Sequence, residues 1–169
     1  MYVFPMSDLN LIDIEASGLH IDSYPIEIAI LVNGEIFSWL IAPEHSWRHW
    51  DQAAERLHGI SRDQLVNHGQ QARYVADAIN DTIANTNGLL YSDAAAWDTE
   101  WIKTLFDTVG AVPQFHILPI SDLLSEAEYL LFQGKCNALA STARYRRHRA
   151  EQDVKMIYEA YISVVHAAK

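Results

Sequence analysis

One cysteine, Cys136, is all that the 169 residues contain, so an internal disulfide is excluded. Basic side chains are scarce as well: 12 Lys and Arg stand against 22 Asp and Glu, for a net charge of -10. A protein that coats duplex nucleic acid by neutralising many phosphates draws on far more cations, so any nucleic-acid contact is expected to be local. No apolar run approaches the roughly 20 residues needed to cross a bilayer, which excludes a membrane span. Met1 to Leu19 carries Asp8, Asp13 and Glu15 where a signal peptide needs basic and then apolar residues, and the cytoplasm is the expected address. Repeats, low-complexity stretches and linkers are missing too. What is plentiful is apolar surface: half of the residues are hydrophobic, enough for one continuous core, and residues 1–169 are expected to form a single domain.

Leu9 to Ile14 is mostly apolar and breaks at Ser17-Gly18, as a buried strand running into a turn does. Ile26 to Val32 and Glu35 to Ile41 are two further β-rich runs separated only by Asn33-Gly34, a strong hairpin signal that predicts antiparallel neighbours. Trp50 to Val66 turns helical but is cut at Gly59, and Ala72 to Ala84 has the spacing of an amphipathic helix. Leu89 to Ser92 then reads as a short inner strand, Trp97 to Val109 as a helix, Phe115 to Ile120 as a strand and Asp122 to Phe132 as a helix. In the last element, about Ala150 to Ala167, Val154, Ile157, Tyr158, Tyr161 and Val165 form one stripe with Lys155 and Glu159 turned away. The order predicts an α/β protein: a mixed sheet, three antiparallel strands followed by parallel ones, flanked by helices.

Asp13 and Glu15 lie two apart on the first strand, so the pleat sends both carboxylates to one face among apolar neighbours. Two like charges on a largely buried strand repel and are poorly solvated unless a cation sits between them, and hard divalent cations favour such oxygen ligands. Alone, the pair is more simply read as the solvent-facing end of a strand. Asp98, after Trp97 at a helix start, and Asp153, five residues beyond His148 at the start of the final helix, are each ordinary first-turn acids when taken singly.

Their joint order is another matter. Asp13-Ile14-Glu15-Ala16-Ser17-Gly18-Leu19, Leu57-His58-Gly59-Ile60-Ser61, Trp97-Asp98 and His148-Arg149-Ala150-Glu151-Gln152-Asp153 follow one another along nearly the whole chain. In these motifs the sequence resembles the histidine-bearing branch of the DEDD exonucleases, which includes proofreading exonuclease subunits and oligoribonucleases. Asp13 and Glu15 match the first motif, Asp98 the second, and His148 with Asp153 the third; the Gly59 segment matches a family turn and Ile26-Glu27-Ile28-Ala29 the second strand. Many relatives carry His-Asn five and four residues before the second-motif Asp, where this chain has Asp93 and Ala94. Asp93 therefore rivals Asp98 as a ligand, and Asp98 is preferred for the aromatic residue before it and the helical pattern after it.

The resemblance implies an RNase H-like core and two divalent cations, Mg²⁺ or Mn²⁺. Asp13 would bridge both, Glu15 and Asp153 would complete one site, and Asp98 would serve the other. His148 would take the proton of the attacking water, as an imidazole that titrates near neutral pH can. Ala16, Ser17, Gly18 and Leu19 would line the terminal nucleotide, with Leu19 against its base and His58 beside it. The implied activity is 3′-to-5′ removal of nucleoside monophosphates from single-stranded DNA or RNA. Two other roles keep the same fold: a phosphodiesterase for short oligonucleotides, and an inactive binding or assembly subunit. Arg144, Arg146, Arg147 and Arg149 are either a solvated loop or phosphate contacts. Tyr91, Trp97 and Trp101 are expected in the core, and Trp47 and Trp50 are the candidates for partly exposed stacking surfaces. Sugar preference and homodimer formation are left open.

Overall fold

The computed structural model describes residues 9–167; Asp8, one of the acids set against a signal peptide, lies outside them. Five strands, β1 (Leu11–Ala16), β2 (Pro25–Val32), β3 (Glu35–Leu40), β4 (Leu89–Ser92) and β5 (His116–Pro119), form one sheet in the order β3-β2-β1-β4-β5. β1 to β3 are antiparallel neighbours, whereas β4 pairs with both β1 and β5 in parallel. The hairpin turns where expected: Asn33 and Gly34 both have positive φ, at 51° and 81°, as the favoured two-residue turn requires.

Helices cover both faces, and the period-two alternation of β1 decides which side chain meets which layer. Ile12 and Ile14 join Ile79 and Ile83 of α3 (Ala72–Ile83) and Ile102, Leu105 and Phe106 of α4 (Ala95–Val109). Leu11, on the opposite face with Ala29 and Leu31 of β2, packs against Val154, Ile157 and Tyr161 of α6 (Ala150–Ala167) and Phe132 of α5 (Glu126–Ala140). Val154 is fully buried, which contributes about 2 kcal/mol to holding α6 down. Two short helices, α1 (Gln52–His58) and α2 (Arg62–His68), connect β3 to α3, and α1 ends at Gly59 in the left-handed conformation, φ 67°. This is the mixed, helix-flanked sheet that the sequence predicts.

One helix differs from expectation. Asp122 lies in a 3-10 turn, Ile120–Leu123, and α5 begins only at Glu126, where Ser125 and Glu128 form a reciprocal capping box; it then continues beyond Phe132 to Ala140. Two aromatic assignments also change. Trp47, expected to be partly exposed, is buried, stacked on Tyr24 and donating its Nε1–H to Thr108 Oγ1. Trp97, expected in the core, is 42% exposed and stacks on buried Trp101.

Candidate metal centre

Beyond Leu11 the same face of β1 changes from apolar to acidic, at Asp13 and Glu15. Antiparallel register sets Glu27 of β2 directly across from Glu15, so three carboxylates share one face. Glu27, read from sequence only as part of a strand, is a component that the motifs do not reveal; its one signal is a lone acid inside an otherwise apolar run. It is 2% exposed and is neutralised by Arg149, whose Nε and Nη2 donate to it at 3.1, 3.0 and 2.6 Å.

α6 delivers the third motif to this face. His148, just before the helix, has φ 59°, a left-handed backbone that is uncommon for a non-glycine residue, and its N–H donates to Asp153 Oδ2 at 2.8 Å. One ligand-capable atom each from Glu15, His148 and Asp153 lies within 4.8 Å of the others, a spacing that could hold a metal ion. The second motif comes from the other side. Leu11 pairs with Tyr91, so the chain leaving β4 delivers Ser92, Asp93 and then Asp98, in the first turn of α4, to the acidic end of β1. Asp98 is 1% exposed, and one of its oxygens accepts from the hydroxyl of Ser92, which in turn accepts from Ala94 N–H.

The electrostatics record the crowding. Desolvation, followed by the charges of Asp98, Asp153, Glu15 and Asp93, raises Asp13 well above the usual carboxylate range. Burial, then Asp153, Glu27 and Asp98, pushes Glu15 up to about 8. Burial likewise pushes Asp98 up to about 8, opposed by the Ser92 hydroxyl and reinforced by Asp93. Acids that resist ionisation until a cation arrives are what a divalent site needs. Asp13 Oδ2 is sealed from solvent with no hydrogen-bond partner, a lone pair left for such a ligand. The residues present therefore fit divalent cations with oxygen ligands.

The remaining sequence candidates fall around this cluster. Ala16 and Ser17 are buried where β1 ends, and Ser17 N–H is already committed to Tyr24 O. Gly18 packs so closely that an added Cβ would lie 2.8 Å from the His49 ring, whereas Leu19 is 70% exposed. His58 is buried; its Nδ1 accepts from Ile60 N–H, which leaves Nε2 carrying the proton, and that atom has no partner. Burial also lowers the His58 pKa, so the ring is held neutral. The arginine cluster divides by partner: Arg149 serves Glu27, Arg147 meets Asp153, and Arg144 meets Glu159.

No protein-family model matches the chain, and neither does a curated protein sequence. Solved structures do match. E. coli exonuclease I in complex with a dA16 oligonucleotide has a TM-score of 0.72 at 16% identity over 91% of this chain and 40% of that one. The nuclease domain of 3′hExo, a DEDDh family member bound to rAMP, has a TM-score of 0.72 at 15% identity over 98% of this chain and 95% of that domain. The chain has the fold of the DEDDh exonucleases. A further exonuclease I structure gives a TM-score of 0.74 at 18% identity. This DEDDh-fold chain spans about two fifths of the length of exonuclease I and nearly all of the 3′hExo nuclease domain.

Proposed function

We propose that this protein is a metal-dependent 3′-to-5′ exonuclease that trims single-stranded nucleic acid, with the whole of residues 1–169 acting as one catalytic domain in the cytoplasm. The observation that carries the reading is the convergence of Glu15, His148 and Asp153, from β1 and from the start of α6, within 4.8 Å of one another. The match to exonuclease I bound to a single-stranded oligonucleotide supports the substrate class.

Asp13, Glu15, Asp98 and Asp153 would hold two cations, Mg²⁺ or Mn²⁺. When bound, these would supply the positive charge that stabilises the attacking and departing oxygens of an in-line displacement at phosphorus. His148 stands beside Glu15 and Asp153 and would accept the proton of the attacking water as general base. Gly18 keeps the loop after β1 tight, exposed Leu19 would lie against the terminal base, and His58, whose buried Nε2 has no hydrogen-bond partner, would stand beside the terminal nucleotide. The net charge of -10 also favours a second reading, in which the preferred substrates are oligonucleotides of a few residues.

The test is degradation of 5′-labelled single-stranded DNA and RNA of several lengths, with divalent metal and with chelator. Metal-dependent ladders shortening from the 3′ end are expected. Tight binding with no turnover in Mg²⁺ or Mn²⁺ would instead identify an inactive binding subunit.

A further inference from the structure

α6 must start at a fixed place for His148 to face the acids, yet the residue before it, Arg149, has no side-chain acceptor with which to cap the helix. The acceptor comes from the sheet. Glu27 Oε2 accepts the N–H of Ala150 at 2.9 Å, while the same carboxylate takes the fork of Arg149. Glu27 thus grips two consecutive residues immediately after His148 from a strand 122 positions away in sequence. On the other side of His148, its N–H is tied to Asp153 Oδ2. The left-handed backbone of His148 is therefore clamped from both sides, an arrangement that local sequence does not favour and that surrounding contacts must impose.

We propose that Glu27, through Arg149 and Ala150, is a positioning residue for His148: it fixes the backbone from which the imidazole is aimed at Glu15 and Asp153. This rests on the exonuclease reading for its effect on rate, though not for its effect on the histidine itself. A negative group opposite Glu15 is costly for an acidic site, and Glu15 is held up in part by it; Arg149 cancels that charge while the clamp remains.

The experiment compares the full chain with Glu27→Gln and Arg149→Gln, and with both changes together, which removes the two charges while keeping the shapes. Cleavage is followed at saturating and limiting oligonucleotide, Mn²⁺ affinity by electron paramagnetic resonance, and the His148 ring by ¹⁵N-histidine NMR, assigned with His148→Gln. Glu27→Gln is expected to lower kcat by about tenfold or more with KM and Mn²⁺ affinity within about twofold. The His148 ring signals should move or broaden while circular dichroism stays native. Unchanged kcat and unchanged His148 signals overturn the proposal, and so does a joint collapse of kcat, KM and metal affinity, which marks a merely structural pair. If Glu27→Gln does not fold, the double variant decides: a native spectrum with disturbed His148 signals supports the clamp, and wild-type signals refute it. A wild-type protein that cleaves nothing removes the exonuclease reading, and the NMR comparison still judges the clamp.

Discussion

Arg147 reaches into the acidic cluster, its Nε 3.1 Å from Oδ1 of Asp153. That guanidinium is 41% exposed; it opposes the burial that raises Asp153, and it offsets part of the carboxylate repulsion that, after burial, raises Glu15. A cation held by Asp153, as proposed, would have to compete with it for that oxygen. Arg147→Ala is therefore expected to tighten divalent-metal binding by up to about fivefold, the range of a solvent-exposed ion pair. A Mn²⁺ titration checks this, and weaker binding in the variant contradicts it.

Asp13→Asn and Asp153→Asn are expected to reduce cleavage to background while leaving thermal stability equal or slightly raised, because the Asp13 charge is repelled by its acidic neighbours and the Asp153 charge repels Asp13 and Glu15. Cleavage assays paired with melting curves in chelator are the measurement. Wild-type activity in Asp13→Asn removes that residue from the site.

His148→Ala is expected to slow the chemical step by about 10²-fold or more while metal affinity changes far less, as loss of a general base predicts. Single-turnover rates beside Mn²⁺ titrations separate the two effects. A parallel loss of both assigns His148 to metal binding alone.

The metal-free protein is expected to lose stability as pH rises. Glu15 and Asp98 are each pushed up to about 8, so between the ordinary carboxylate range near 4 and about 8 the folded state keeps protons that the unfolded chain has released. Their contribution is fully present below that window and gone above it. Melting temperatures in chelator should therefore fall from pH 5 to pH 8.5, by about 3 °C or more. Glu15→Gln should flatten the slope, and added Mn²⁺ should restore stability most at the alkaline end. A flat profile in wild type contradicts the raised pKa values.

Substrate length separates the two catalytic readings. A short-oligonucleotide enzyme slows as the strand lengthens from two residues upward, whereas a general exonuclease holds its rate or gains from added phosphate contacts. Initial rates on a length series of labelled RNA and DNA measure this directly.

Local pattern carried much of the architecture. Asn33-Gly34 announces its hairpin because the turn requires two positive φ angles, and Asp13 and Glu15 share a face because the pleat has a period of two. Gathering Asp98 and Asp153 beside them took the order of the motifs, since neither acid is distinctive alone. The start of α5 was written in Ser125 and Glu128, yet the apolar residues before it pull a periodicity reading upstream. Trp47 and Trp97 exchanged their expected roles because exposure depends on which element covers a side chain: Trp47 sits under Tyr24 and Thr108, whereas Trp97, stacked on Trp101, stays 42% exposed. Glu27 was hidden for a similar reason, its partner Arg149 being distant in sequence and close only in the fold.

Asp13 and Glu15 grow from the sheet's central strand, hydrogen-bonded on both sides, whereas Leu19 and Trp97 stand out into solvent at the ends of elements. The fold thereby separates two kinds of change. On the proposed activity, substitutions at the exposed rim are expected to change substrate preference while leaving the buried acids where they are. An engineer seeking a new preference in the proposed nuclease would therefore begin at Leu19 and Trp97.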